Sequence, residues 1–260
     1  VPRSVPIMGP REGAGNPLRP QCAARTVRPM RISVVIPVKD NASQLAECLE
    51  ALAGQTRPPD EVVVVDNGSD DHSAQVAERM GARCVREERP GIPAAASTGY
   101  DAATGDVIAR LDADSTPPPH WVWHIERVFA HPAAPDAATG AGRFPSLRGA
   151  ARWAAETLYM GGYFAVFRPV LGHPPVFGSA FAMTADAWRT ARETVHRDDP
   201  EVHDDLDLAF QLDSVRRVDG LDVAISARPF ADVVAFGRRI RRGAHTVLVN
   251  RGPRRMLARR

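Results

Sequence analysis

The chain has 260 residues, 44% of them hydrophobic, and its 33 Lys and Arg against 31 Asp and Glu give a formal net charge of +2. That is enough apolar material for one large domain or two small ones. Cys22, Cys48 and Cys84 form no CxxC pair, which excludes a disulfide framework and a zinc site and fits a reducing cytoplasm. No secretory leader is read, and no apolar run approaches the roughly 18 residues of a membrane span.

In chain order, Val1–Pro29 is rich in Pro, Gly and Arg, lacks a hydrophobic period and opens on VPRS, which resembles the scar of a protease site. It is set aside as a tail, and the folded part is expected from Met30. From there strand and helix alternate. Ile32–Val38 is a continuous β-branched run of the kind a parallel sheet buries on both faces. Asn41 and Gln44 read as a capping box before a helix carrying Leu45, Cys48, Leu49 and Leu52, which Gly54 ends. Glu61–Val65 is a second buried strand. A helix with Ala74, Ala77 and Met80 follows, then a short strand Arg83–Arg86, an Ala-rich helix Pro93–Ala103 and a fourth strand Asp106–Leu111. Right-handed crossovers are expected between these strands.

In open α/β sheets ligands bind outside the carboxyl ends of the strands. Three polar clusters fall there: Lys39, Asp40 and Asn41; Asp66, Asn67, Gly68, Ser69 and Asp70; and Asp112 and Asp114, on either side of Ala113. Residues i and i+2 of an extended chain point to one side, so Asp112 and Asp114 are expected to converge and to require a cation. Hard carboxylate oxygens suit Mg²⁺ or Mn²⁺, which takes further ligands from a substrate diphosphate. A turn cap is the alternative for these acids, and a plain Asx turn for Asp66–Asp70.

Beyond the prolines a helix is expected from Pro118 or Pro119, presenting Val122, Ile125, Val128 and Phe129. Ala138–Phe144 and Pro175–Met183 read as strands, and TADAWRTARETV and HDDLDLAFQL as helices. Thr157–Leu171, broken by Arg168 and Pro169, is expected to lie on a membrane at most, not to cross it. Trp121, Trp123, Trp153, Tyr159, Tyr163 and Phe164 are read mainly as core. After Asp232 every charged residue is an arginine, a composition suited to phosphate groups or anionic lipid; nucleic acid is not expected, since no helix-turn-helix or zinc motif accompanies it.

ISVVIPVKDN, EVVVVDNGSDD, GDVIARLDADS and HDDLDLAFQL, in this order, resemble the family 2 glycosyltransferases of the GT-A fold over roughly Met30–Asp213. The resemblance implies an α/β architecture with a Rossmann-like nucleotide-binding half and a mixed sheet flanked by helices. It also implies a nucleotide-sugar donor, with UDP-sugar favoured and GDP-sugar the alternative, a divalent ion (Mn²⁺ or Mg²⁺) and inversion at the anomeric carbon. Carried onto this chain, Pro37, Val38, Lys39 and Asp40 line the nucleoside, and Asp66, Asn67 and Ser69 meet base and ribose. Asp112, Ala113 and Asp114 hold the donor and metal, and Gly178 and Ser179 of GSAF lie under the sugar. Asp204 and Asp205 face the acceptor, with Asp205 as general base. The acids of HDDLDL also complement a helix dipole, and GSAF also reads as a buried core strand. His245, and less strongly His203, are candidates to complete the metal shell.

Asn67, Asp204 and the pair Ala96–Ser97 depart from the family, which usually has Asp, Glu and Arg-Asn there. The basic C-terminus is expected to replace the missing diphosphate contact. The expected division is a tail 1–29, a glycosyltransferase domain 30–230 with donor half 30–115 and acceptor half 116–230, and a basic segment 231–260. The acceptor is a glycan or lipid phosphate of the cell envelope, and the location cytoplasmic or peripheral on the inner membrane face. The alternatives are a nucleotidyltransferase, which needs a glycine-rich phosphate loop that PVKDN lacks, and a non-catalytic nucleotide-binding module.

Overall fold

The Ile32–Val38 run forms strand β1, an inner strand of a sheet in the computed structural model, which describes residues 29–227 and 233–251, apart from the side chains of 233–236. Ile32, Val34, Ile36 and Val38 enter one core cluster and Val35 the other, so both faces of the strand are buried. That is why the run carries no polar alternation. The tail up to Arg28 and the arginines beyond Arg251 lie outside the described residues.

Strand β2 (Glu61–Asp66) and strand β4 (Val107–Arg110) flank β1, both parallel to it, and β3 (Arg83–Arg86) lies parallel beyond β2. Past β4 the sheet becomes mixed. Strand β8 (Phe181–Thr184) runs antiparallel to β4, β6 (Ala137–Thr139) antiparallel to β8, and β9 (Val215–Arg217) parallel to β6. Both expected halves thus share one seven-stranded sheet, in the order β3-β2-β1-β4-β8-β6-β9. A three-stranded sheet of β5 (Ser115–Thr116), β10 (Val223–Ile225) and β7 (Gly142–Arg143) sits beside it.

Helices α1 (Ala42–Ala53), α2 (Ser73–Arg79) and α4 (Trp121–Phe129) cover one face of the large sheet. Helices α3 (Ile92–Ala102), α7 (Ala185–Ala191) and α8 (Asp204–Ala209) cover the other. Gly99 lets α3 lie directly on the sheet: a Cβ there would come within 2.3 Å of Val35 Cγ1. Helix α5 (Gly149–Trp153), a π-helical stretch Ala154–Met160 and α6 (Gly161–Leu171) follow one another without a break. Alongside lies α9 (Val233–Arg251), whose Arg251 donates to the Val170 carbonyl at 3.3 Å. Among the described residues, no helix is long and apolar enough to cross a membrane. Trp121 and Phe164 are core, whereas Trp153 is 59% exposed.

Four local expectations are corrected. Asn41 is the N-cap of α1 but makes no side-chain cap bond; Asp71 from the next loop accepts the Ala42 N–H at 2.9 Å instead, and its charge suits a helix start. The helix expected from Pro118 begins at Trp121, because the Pro118 and Pro119 carbonyls accept from Gln55 and Thr56 at the end of α1. Ala138–Phe144 divides between the two sheets at Gly140, where a Cβ would sit 2.1 Å from the Leu221 carbonyl oxygen. Of Pro175–Met183 only Phe181 onward is strand; Phe177–Ala180 is a turn closed by Ala180 N–H to Phe177 O at 2.8 Å.

Between β3 and α3, Glu87 accepts from the Arg89 backbone at 2.8 Å, from the Arg89 guanidinium and from Thr98. The Arg89 hydrogen bonds lower its carboxyl to about 2. Glu87→Gln is expected to lower the free energy of unfolding at neutral pH by about 2 kcal/mol, on the scale of bonds to charged groups. A depressed carboxyl contributes stability above its ordinary 4.5 and loses it as pH falls towards 2, so the gap from wild type closes over that range in acid unfolding.

Candidate active site

The loops after β1 and β2 are stitched together along the rim. Asp40, with φ of 49°, accepts from Asp70 N–H at 2.7 Å, its own N–H donates to Ser69 Oγ at 3.1 Å, and Asn41 N–H donates to Ser73 Oγ at 3.2 Å. Asp66 Oδ1 accepts from Ser69 N–H at 3.1 Å, the Asx-type turn that stood as the alternative. The Asn67 amide donates to the Glu87 and Arg89 carbonyls at 3.0 and 2.7 Å, and its oxygen accepts from Gly91 N–H at 2.9 Å. The side chain expected to meet base or ribose thus already holds the loop before α3.

The acids after β4 do not converge by strand alternation, since the strand ends at Arg110. Asp112–Ser115 is a turn closed by Ser115 N–H to Asp112 O at 3.0 Å, and the turn sets both side chains. One cation facing them belongs to the same stretch. Arg110, 2% exposed, donates to Asp112 Oδ1 at 3.0 Å, makes a close ion pair with Asp204, and reaches Tyr100 Oη at 3.3 Å. It ties the Asp112–Asp114 turn to the helix bearing the expected base. Sequence reasoning missed it, although an arginine inside a buried strand, two residues before an acid, was the signal. Burial pushes the Asp204 carboxyl up and the Arg110 guanidinium opposes it, while Arg110 itself stays well above the ordinary arginine value.

Helix α8 begins at Asp204 with His203 as N-cap. Asp205, 3% exposed, accepts from Gly178 N–H at 2.8 Å and from His203 Nδ1 at 2.5 Å. Burial raises this carboxyl, but the charge and hydrogen bond of His203 outweigh it and bring it below the ordinary carboxylate value. Burial lowers the His203 imidazole, yet Asp205 lifts it to about 9, so it is cationic at neutral pH. Beside Gly178, Ser179 Oγ donates to Asp112 Oδ2 at 2.5 Å. The Gly178–Ser179 turn therefore holds Asp205 with one residue and Asp112 with the next. A Cβ on Gly178 would lie 3.2 Å from Asp205 Oδ2, which leaves little room there.

These groups open on one cleft of about 420 Å³. Pro37, Val38, Lys39 and Asn67 line it from the β1 side, Asp112, Ala113 and Asp114 from the turn, and Gly178, Ser179, Asp204 and Asp205 from the far side. Asp40, Asp66, Ser69 and His245 are not among its walls; His245 Nε2 bonds Asp199 at 2.8 Å. Ser226, which bonds Asp114, and Arg239 and Arg242 of α9 complete the wall.

Residues 33–185, more than half of the chain, match the profile of Glycosyl transferase family 2. The chain belongs to that family. Among its relatives, the glycosyltransferase AglE of Haloferax volcanii is 35% identical over 99 residues, 35% of this chain and 33% of that one. An undecaprenyl-phosphate 4-deoxy-4-formamido-L-arabinose transferase of Pseudomonas fluorescens is 37% identical over 98 residues, 34% of this chain and 29% of that one. The matches thus span about a third of these relatives' length. The solved glucosyl-3-phosphoglycerate synthase of Mycobacterium tuberculosis, in complex with Mn²⁺, UDP and glucosyl-3-phosphoglycerate, superposes with a TM-score of 0.61 at 21% identity, covering 85% of this chain and 80% of that one. That likeness places the mixed sheet and its helices in the GT-A fold.

The departures from the family 2 pattern have structural counterparts. Ala96 and Ser97, 2% and 5% exposed, are packed into the core and absent from the cleft wall, so α3 offers no arginine to a diphosphate. Asp204, in the usual glutamate position, is the partner of Arg110. Two acidic sets were tested as a divalent-metal site. His203, Asp204 and Asp205 bring ligand atoms within 4.8 Å of one another. In that set the atoms already engage one another or a cation: His203 Nδ1 bonds Asp205 at 2.5 Å, and Asp204 is ion-paired to Arg110, which also meets Asp112. Asp112 and Asp114 present hard carboxylate oxygens to the cleft and fit an ion that draws its other ligands from water and phosphate.

Proposed function

We propose that the protein is a divalent-metal-dependent, inverting glycosyltransferase that moves a sugar from a nucleoside diphosphate, UDP before GDP, to an acceptor. One observation carries this reading: the turn Gly178–Ser179 hydrogen-bonds Asp205 on one side of a single cleft and Asp112 on the other. A base and an acidic pair are thereby held apart by a flat backbone segment on which a sugar fits. The cleft's volume lies in the range of small-ligand pockets.

In this reading the nucleoside lies along Pro37, Val38 and Lys39. Asp112 and Asp114 hold Mg²⁺ or Mn²⁺, which when bound supplies Lewis-acid neutralisation of the diphosphate. Asp205 takes the proton from the acceptor hydroxyl as its oxygen attacks the anomeric carbon. The bond from that carbon to the diphosphate oxygen breaks with its electron pair on the diphosphate, and attack from the face opposite the leaving group inverts the centre. Residues 30–115 serve the donor and 116–230 the acceptor, and α9 closes the wall. A lipid-linked or cell-envelope acceptor and a peripheral inner-membrane location are supported by the arginine-rich C-terminus and by the Pseudomonas fluorescens relative, a transferase named for an undecaprenyl-phosphate sugar.

Calorimetric titration with UDP-sugars tests the reading. Mn²⁺ is expected to tighten binding to the wild type, and Asp114→Ala to lose roughly tenfold or more of that affinity, the scale of one charge-assisted contact. Binding of every sugar nucleotide that is indifferent to Mn²⁺ and Mg²⁺ overturns it.

A further inference from the structure

The acceptor side of the cleft carries more cationic donors than its own acids occupy. Arg239 and Arg242 stand three residues apart, on one face of α9, and both line the cleft. No residue of α9 is acidic. Among the described residues, Arg242 meets Glu201 at 3.6 Å, and Arg241 engages that carboxylate more closely. Arg239 bonds the Tyr159 hydroxyl. Arg239 Nη1 and Arg242 Nε are enclosed and meet no hydrogen-bond acceptor among the described residues. Enclosed guanidinium N–H groups without an acceptor are costly, and planar forks of this kind match phosphate oxygens.

Their place in the fold is rigid and sits by the base. Thr246 Oγ1 accepts from His203 N–H at 2.7 Å, and Asn250 donates to Asp207 at 2.7 Å, so α9 is pinned to α8. Arg239 lies close enough to His203 for its charge to oppose protonation there. Asp112 and Asp114, by contrast, are met by Arg110, Ser179 and Ser226.

We propose that Arg239 and Arg242 form a phosphate subsite for the acceptor, beside Asp205 and separate from the donor diphosphate position at Asp112 and Asp114. This rests on the transferase reading given above. The ligand is a phosphate monoester, carried either by a small water-soluble hydroxy compound or by a polyprenyl lipid.

The test titrates inorganic phosphate into the full chain saturated with UDP and Mg²⁺, so that the donor position is filled. Saturable binding is expected, weakened roughly tenfold or more in Arg239→Met and in Arg242→Met and partly restored in Arg239→Lys. Unchanged thermal unfolding of the variants excludes loss of the fold as the cause. Displacement of phosphate by glycerol 3-phosphate but not glycerol assigns a soluble source. Displacement by phosphatidylcholine vesicles containing polyprenyl phosphate, but not by vesicles containing polyprenol, assigns a lipid source. The proposal is overturned if wild type binds no phosphate once UDP is present, if both Met variants bind it as wild type does, or if they lose UDP affinity to the same degree. Failure of wild type to bind any sugar nucleotide with metal sinks the transferase reading instead, and phosphate binding measured without UDP still decides the subsite.

Discussion

Asp205→Asn is expected to lower kcat by about 10²- to 10⁴-fold, the usual worth of a general base. The amide keeps the size of the side chain and an oxygen for the Gly178 N–H, but it has no carboxylate to take a proton. Donor affinity, set across the cleft at Asp112 and Asp114, is expected to stay within about twofold, well under one contact's worth. Steady-state kinetics beside UDP titration separate the two, and a kcat loss below about tenfold removes Asp205 from the role. The pH profile gives a second reading. His203 helps hold the Asp205 carboxyl low, so His203→Gln is expected to move the acidic limb of kcat/KM to higher pH. The imidazole is raised from 6.5 to about 9; its contribution to stability is complete below pH 6.5 and is lost as pH rises through about 9.

Arg110→Met is expected to cost about 3–5 kcal/mol of stability, the scale of stranding one member of a buried ion pair. The guanidinium is 2% exposed and serves Asp112, Asp204 and the Tyr100 hydroxyl together. Without it, the largely buried Asp204 carboxylate loses its cation, and the more exposed Asp112 loses one as well. Denaturant unfolding should show the loss, and Arg110→Lys should recover only part of it, because a single ammonium does not present the guanidinium's planar fork to two partners. Pairing Arg110→Met with Asp204→Asn should recover some stability by removing one stranded charge. A stability change under about 1 kcal/mol shows that the ion pair carries little.

Much of this molecule is legible in local pattern. The unbroken run Ile32–Val38 announces a strand buried on both faces, and the HDDLDL acids announce a helix start. Three polar clusters at strand ends announce one rim, and hydrogen bonds between Asp40, Ser69 and Asp70 join two of them. Where local pattern misleads, a distant group is the neighbour: Asp71 accepts the Ala42 N–H in place of an Asn41 cap, and the Leu221 carbonyl lies against Gly140, where the expected strand divides.

The alternation of strands and helices, the carboxyl-end placement of the acids and the family are written in local pattern, because periodicity and turn chemistry act within a few residues. Which charges answer one another emerges only when the chain is packed. Arg110 meets Asp204 across 94 positions of chain, and α9 brings Arg239 and Arg242 to a cleft built mostly from earlier segments. Such pairings depend on how helices pack against the sheet, and desolvation in that packing leaves a charge stable only beside its partner.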